Sequence, residues 1–508
     1  MGEASPTPLT KPYPPTPVGY LDWNDLAENY AGKATTLIVD ASGKGDYSTI
    51  QEAVDALGAG GGEVLVAEGN YTLTRAIVLN SVEGVTMRGM GPGTVLRVSD
   101  KVEKALTVDA TAGQRMIVVS DGSAFSVGQH LCVTDSSGFE VCRVESIDGD
   151  TLTMEGVLVN GYSVADGARA YTCHSAVWIT GASTRVRVTN LQVDGNRLNQ
   201  EFGRTGYYPS EHQGDGVRVS DGCEGVLLDH LWVRSAVAHG VCLGGEGHRV
   251  ELCECWDNGY DGVNAEPSCD RITILGNYCH DQVYWNGVQF GYSTYATGSA
   301  LIVGNVLANN YQGIAAQGGS GVDIVGNVIQ DSRYDGVELY DVDRFIVSGN
   351  LITGALDLSD MTNEGIHVEH ECSVGVVSGN LVENCAGDGV HVESGAYLSI
   401  TGNTIRHVAK HGLKFAQING RDSTVTGNTI VDCDAGDTET YSGIAVLGDR
   451  VAVVGNRVDN CDKYAVHLAS TSNKCIVTGN QLTVYAGSSL GAIQDDGTGN
   501  VVEHNVVA

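Results

Sequence analysis

The 508 residues carry 29 Lys+Arg against 62 Asp+Glu, a formal charge of −33, yet only 18% are charged, so the acidity reflects a shortage of bases rather than an excess of acids. Glycine reaches 68 residues while proline stays at 9, which excludes collagen, and a hydrophobic content of 42% excludes a disordered chain. No apolar run has membrane-spanning length, and so acidic a chain is a poor match for nucleic-acid phosphates; neither a membrane span nor a nucleic-acid partner is expected.

Residues 1–36 are Pro-rich, then mixed, and read as an N-terminal arm or adaptor. Their opening, MGEASPTP, lacks a basic stretch leading into an apolar core. No signal peptide is read there, and an extracellular or virion-associated place is expected. Residues 37–105 start the regular structure. The segment TTLIVDASGKGDYSTIQEAVDAL (35–57) predicts a strand, a turn and a short amphipathic helix with Ser48 or Thr49 near its N-cap. That helix would cover the open end of the first coil. Residues 106–171 alternate around turns at SSG and DGD and read as a β-hairpin insertion. Cys132 and Cys142 flank the first of these turns and are candidates for a disulfide; most of the 14 cysteines read as buried thiols.

From 172 to 508 the chain is repetitive. Two or three mostly β-branched residues followed by Gly-Asn recur as ILGN277, IVGN305, IVGN327, VSGN350, VSGN380, ITGN403, VTGN428, VVGN456 and VTGN480, at intervals of 22–30 residues. A second phrase, Gly-apolar-any-apolar, is interleaved: GVRV (216–219), GVCL (240–243), GVNA (262–265), GVQF (287–290), GIAA (313–316), GVEL (336–339), GIHV (365–368), GVHV (389–392), GLKF (412–415) and GIAV (443–446). A unit of this size cannot bury its apolar face alone, so successive units must stack. The prediction is all-β: a parallel β-helix of about thirteen coils, with the Asn of each Gly-Asn forming a ladder along the rod.

These phrases, with the 38–57 segment, resemble the pectin-lyase-like superfamily of right-handed single-stranded parallel β-helices, which includes polygalacturonases, pectate lyases, pectin methylesterases, mannuronan epimerases and bacteriophage tailspikes. AHGVCLGGEG (238–247) is similar to the Gly-His-Gly segment of polygalacturonases, and LLDHLWV (227–233) to the Ile-Asp-His stretch of pectate lyases; the companion motifs of both are missing. An arm, a capping helix, an insertion and a long β-helix look most like a tailspike or polysaccharide depolymerase. The resemblance implies a polysaccharide partner. A homotrimer is expected as well, because the last coil would otherwise leave bare strand edges.

Strand alternation places the third residue of each Gly phrase, and the residue after the phrase, on the outer face. The third-position column includes Asn264, Gln289, Glu338, His367, His391 and Lys414; the next includes Glu266, Gln317, Tyr340, Glu369 and Glu393. Asp261, Gln312, Asp335 and Asp388 stand just before the Gly, behind the aromatic row of Trp285, Tyr311 and Tyr334. The acidic patch over 335–414 is the candidate catalytic centre. Glu338, Glu369 and Glu393 are expected as acid/base or nucleophile, His367 and His391 as orienting groups, and Asp335 and Asp388 as further candidates. The neutral patch over 261–317, with Tyr334, Tyr340 and Lys414, is the candidate sugar-binding surface. Three insertions, 197–213, 354–363 and 434–441, are expected to wall the groove. The expected chemistry is hydrolysis of a neutral or weakly charged cell-surface glycan. The alternatives are a non-catalytic virion fibre and a lyase or C5-epimerase using Ca²⁺. No cofactor is required; a metal on His367, His391, Glu369 and Glu393, or Ca²⁺ at an acidic turn, is the variant considered.

Overall fold

The computed structural model describes residues 35–200, 214–292, 298–355, 363–416, 420–434, 440–484 and 490–508. Each regular coil contributes three short parallel strands. One precedes the Gly-Asn corner, one follows it, and one is the Gly-apolar-any-apolar phrase; the coil around Asn327 shows them as Ser320–Val325, Val328–Ser332 and Val337–Tyr340. The phrase strands form one sheet of 14 from Ile77–Asn80 to Ile493–Asp495, close to the thirteen coils expected.

The corners explain the repeated pair. Gly276 has φ 65°, a left-handed conformation, and the equivalent glycines through Gly479 share it. The asparagine beside each is buried, and its amide joins a continuous ladder. Asn327 Nδ2 donates to Ile302 O at 3.0 Å and to Asn350 Oδ1 at 3.0 Å, and Asn327 Oδ1 accepts from Asn305 N at 2.9 Å. Corner backbone that would otherwise be buried unpaired is thereby satisfied. The phrase glycines answer to contact instead: a Cβ at Gly336 would stand 2.4 Å from Ile352 Cγ2 and 2.6 Å from Gly365 O.

The helix Ile50–Leu57 is capped by Thr49, whose side chain accepts from Glu52 N, and it buries Ile50, Ala53 and Val54 against the first coil. The insertion is larger than a hairpin. It holds six antiparallel strands, ordered Glu103–Ala105, Arg169–Thr172, His130–Thr134, Phe139–Asp148, Thr151–Met154 and Met116–Val118. These strands bury a core of their own around Leu131, Val133, Val144 and Leu152. The β-helix resumes in register after it, Ile77–Asn80 pairing with Val177–Thr180. Cys132 and Cys142 do not form the disulfide. Cys132 pairs with Val141 and Cys142 with Leu131, so the two thiols lie on opposite faces of the sheet, and all 14 cysteines are free. No helix among the described residues is long and apolar enough to cross a membrane.

Candidate active site

The strand register brings the expected column together. Gln289 pairs with Ala315, Ala315 with Glu338, Glu338 with His367, His367 with His391 and His391 with Lys414. The neighbouring column places Gln317 beside Tyr340 and Tyr340 beside Glu369. The His367 and His391 rings stack with centroids 5.1 Å apart.

The turn acids also point into this face, which sequence reasoning left open. One oxygen of each takes the backbone N–H of the next coil. Asp335 accepts from Glu364 N at 2.8 Å and Asp388 from His411 N at 2.8 Å; in the neutral patch Asp261 accepts from Asn286 N at 2.8 Å. The second oxygen meets a base. Asp335 Oδ2 lies 3.3 Å from His367 Nδ1, and Asp388 Oδ2 lies 3.6 Å from both His391 Nδ1 and Lys414 Nζ. Glu364 Oε1 stands 3.3 Å from His391 Nδ1. Asp335, Glu364 and Asp388 are 0%, 2% and 1% exposed, so they sit behind the histidines. Asp335 and Asp388, expected among the catalytic candidates, are thus buried against the imidazoles. Glu364 is placed like them; its signal was an acid before the Gly in three successive coils.

In front of the histidines stand the other carboxylates. His367 Nε2 is 3.4 Å from Glu393 Oε2 and 4.0 Å from Glu369 Oε2. One ligand atom from each of His367, Glu369 and Glu393 lies within 4.8 Å of the others. Glu338 accepts from Gln317 Nε2 at 3.0 Å. Glu369 is 21% exposed and Glu393 47%.

Burial raises the Glu369 carboxyl, the His367 charge pulls it back, and Glu338 and Glu393 push it up again, leaving it at about 7. Burial also opposes the charged form of His367, but Asp335, Glu364 and Glu369 outweigh it and hold the imidazole up at about 10. Behind it, burial keeps Asp335 well above the usual carboxyl range. Glu364 is lowered, because its hydrogen bond to His391 and the His367 charge outweigh its own burial.

The neutral patch is more closed than expected. Asp261, Asn264, Gln289 and Gln312 are buried. Gln289 is committed to the protein, accepting from Asn286 Nδ2 at 2.7 Å and donating to Gly291 O at 2.6 Å. Asp261 Oδ2 holds His239 Nδ1 at 3.0 Å. What remains half-buried and open is Glu266, Gln317, Trp285, Tyr311 and Tyr334. Tyr311 and Tyr334 stack 5.3 Å apart at 4°, and Trp285 meets Tyr311 edge-on at 5.7 Å, so the aromatic row is a continuous ridge. Tyr340 stacks on His370 at 4.2 Å. The wall insertions fall largely on 201–213, 356–362 and 435–439, outside the described residues.

Four clusters among the described residues have metal-ligand geometry: Asp215–His239–Cys242, Asp335–Glu364–His367, Glu364–Asp388–His391 and His367–Glu369–Glu393. His391 falls outside the last, so the four-residue metal set expected from sequence divides in two. Each cluster includes an imidazole or a thiol, unlike the all-oxygen shell that Ca²⁺ takes.

A family description, right handed beta helix region, matches residues 215–357 and 355–507. Among solved structures, the N-terminal fragment of bacteriophage Phi29 gene product 12 is similar at 14% identity and a TM-score of 0.56, over 87% of this chain and 69% of that one. The tailspike gp61 of Pseudomonas phage phi297 aligns at 14% identity and a TM-score of 0.38, over 87% and 74%. The A-module of the Azotobacter vinelandii mannuronan C-5 epimerase AlgE6 aligns at 16% identity and a TM-score of 0.39, over 90% and 94%. At such identities the likeness is one of fold.

Proposed function

The chain belongs to the right-handed β-helix family, and on that premise we propose that its phrase-strand face binds a cell-surface polysaccharide and hydrolyses it at Glu369 and Glu393. The observation that carries this reading is a pair of neighbouring carboxylates in unlike environments, one half-buried and raised to about 7, the other open to solvent. Pushing two carboxyls apart in this way divides them into an acid and a nucleophile. Their spacing, with oxygens within 4.8 Å, suits the close pair of a retaining glycosidase better than the wide pair of an inverting one.

In that scheme the Glu393 carboxylate attacks the anomeric carbon while the glycosidic C–O bond breaks, and Glu369 gives its proton to the leaving oxygen. Glu369, now a base, takes a proton from water; the resulting hydroxide equivalent displaces Glu393 and regenerates both groups. The Glu338 carboxylate helps to keep the Glu369 carboxyl raised. His367, fixed from behind by Asp335, sets the charge felt by both carboxylates. The ridge of Trp285, Tyr311 and Tyr334 offers the apolar edge on which sugar faces pack.

Hydrolysis is favoured over elimination because the Arg and Lys groups that would hold a uronate carboxylate are committed to the protein, and His367 faces Glu369 and Glu393 themselves. Arg218 pairs with Asp215 and Glu266, and Lys414 with Asp388, which leaves neither to neutralise a uronate at the centre. Display on a virion and assembly as a homotrimer belong to the same proposal.

Incubation with a panel of surface polysaccharides is the test. New reducing ends without the ultraviolet absorbance of an unsaturated uronate are expected. Rising absorbance would replace hydrolysis with elimination, and retention without product would leave a binding protein.

A further inference from the structure

A cleft of about 970 Å³ opens where the inserted antiparallel sheet leans over the first coils. Its size is that of a site for a small ligand or a few sugar rings. Trp178 lies in it, half-buried. The indole is fixed, because Nε1 donates to Ser220 Oγ at 2.7 Å and the ring packs edge-on against His130 at 5.3 Å. Trp178 belongs to the same outward column as Glu338, six strand steps away, roughly 29 Å at the parallel-strand spacing.

Two arginines line the same cleft, on either side of Gly128. A Cβ built on Gly128 would lie 3.1 Å from Arg75 Nη1 and 3.4 Å from Arg143 Nη2. The approach is fastened, since Gln129 Nε2 donates to Thr74 O at 2.9 Å and Arg143 Nε to Gly128 O at 3.3 Å. The acids of the cleft are engaged. Glu155 pairs with Arg143, Glu140 accepts from Val159 N and Asn160 N at 2.8 and 3.0 Å, and Asp55 accepts from Gln51 Nε2 at 2.8 Å. Arg75 is exposed and, among the described residues, makes no hydrogen bond or ion pair. In a chain of charge −33, an arginine left unpaired beside a second arginine and a fixed indole has the form of half a recognition site.

We propose that this cleft is a second saccharide-binding site, specific for a sugar bearing a carboxylate or sulfate. The anion pairs with Arg75, with the Glu155-bound Arg143 adding positive charge nearby, and the ring packs on Trp178, since a guanidinium fork matches a carboxylate or sulfate and the indole matches a sugar face. The site rests on the reading of this face as a glycan surface for the identity of its ligand, and would hold an acidic substituent of the same chain far from the bond being cut.

Binding is read on an array of acidic oligosaccharides (uronate- and sulfate-bearing) beside their neutral counterparts, with inorganic sulfate as a separate titrant. Wild-type protein retains acidic members, and Arg75→Gln, an exposed change, weakens them about ten-fold while neutral members are unaffected. Trp178→Phe, which keeps an aromatic ring, weakens acidic members too. Glu369→Gln leaves this binding intact, so failure of the catalytic reading and failure of the cleft are told apart. Equal retention of acidic and neutral members, an unchanged Arg75→Gln profile, or binding of sulfate with no saccharide would each overturn the proposal.

Discussion

The coils around Arg218–Gln289 and those around Glu338–Lys414 present the same columns on the same sheet, yet one is closed by internal pairs and the other gathers more acids than bases. In the first, every acid meets a fixed base or amide: Asp215 and Glu266 meet Arg218, and Asp261 meets His239. In the second, the turn acids hold His367, His391 and Lys414 from behind, which leaves Glu338, Glu369 and Glu393 in front with a single imidazole among them. The scaffold is indifferent to the difference, because the inward residues of both regions are buried and apolar, Phe290 in one and Phe415 in the other included. The contrast lies in stoichiometry: the second region gathers about one more acid per coil than its bases can neutralise.

The sharpest way to break the comparison is to exchange matched carboxyls. Glu266 occupies in the closed region the column position that Glu369 holds in the acidic one. Glu369→Gln is expected to lower the hydrolytic rate by about 10²–10⁴, the usual worth of a positioned general acid. Glu266→Gln is expected to leave the rate within about two-fold while loosening Arg218. Equal losses in the two variants, measured as reducing ends per minute on one substrate, would erase the distinction between the regions.

Stability should divide the other way. Arg218 is buried between Asp215 and Glu266, so Arg218→Met leaves two carboxylates uncompensated and should cost about 3–5 kcal/mol. Lys414 is 28% exposed and bound to Asp388 alone, and Lys414→Met should cost about 1 kcal/mol or less, since solvent screens it. Chemical denaturation of the two variants checks both figures, and a Lys414→Met loss as large as that of Arg218→Met would make the regions alike.

The columns themselves were legible because the phrase recurs in nearly every coil with a strict period of two. Register then follows from stacking like on like, and Glu338, His367, His391 and Lys414 fall in line without further information. The capping helix was legible from Thr49 and the spacing of Ile50, Ala53 and Val54. Three things were not. The direction of Asp335, Glu364 and Asp388 depends on a turn, where alternation carries no information. Asn264 and Gln289 are buried against Cys242 and the turn residue Asn286, so an outward position in the strand was not an exposed one. The insertion closes by pairing Glu103–Ala105 with Arg169–Thr172, a contact some sixty residues apart that no local pattern announces.

The finest distinction between the regions is electrostatic, and His367 is where it can be sharpened. The His367 charge lowers the Glu369 carboxyl against burial and two neighbouring carboxylates. A general acid works only while protonated, so the wild-type rate should hold below pH 7 and fall as pH rises through about 7. His367→Gln removes the lowering influence and keeps the ring position polar, so the alkaline limb should move to higher pH, with a rate loss of about ten-fold or less. Stability follows the same sign. Because the Glu369 carboxyl is raised in the folded protein above its usual 4.5, its contribution is complete below that value and is lost as pH rises through about 7. Wild-type protein should therefore lose about 1–3 kcal/mol between pH 5 and 8 that Glu369→Gln does not lose. A limb that stays in place in His367→Gln, read from rate profiles at fixed ionic strength, would mean that Glu369 does not carry the transferred proton. A limb moving to lower pH would mean that His367 itself does.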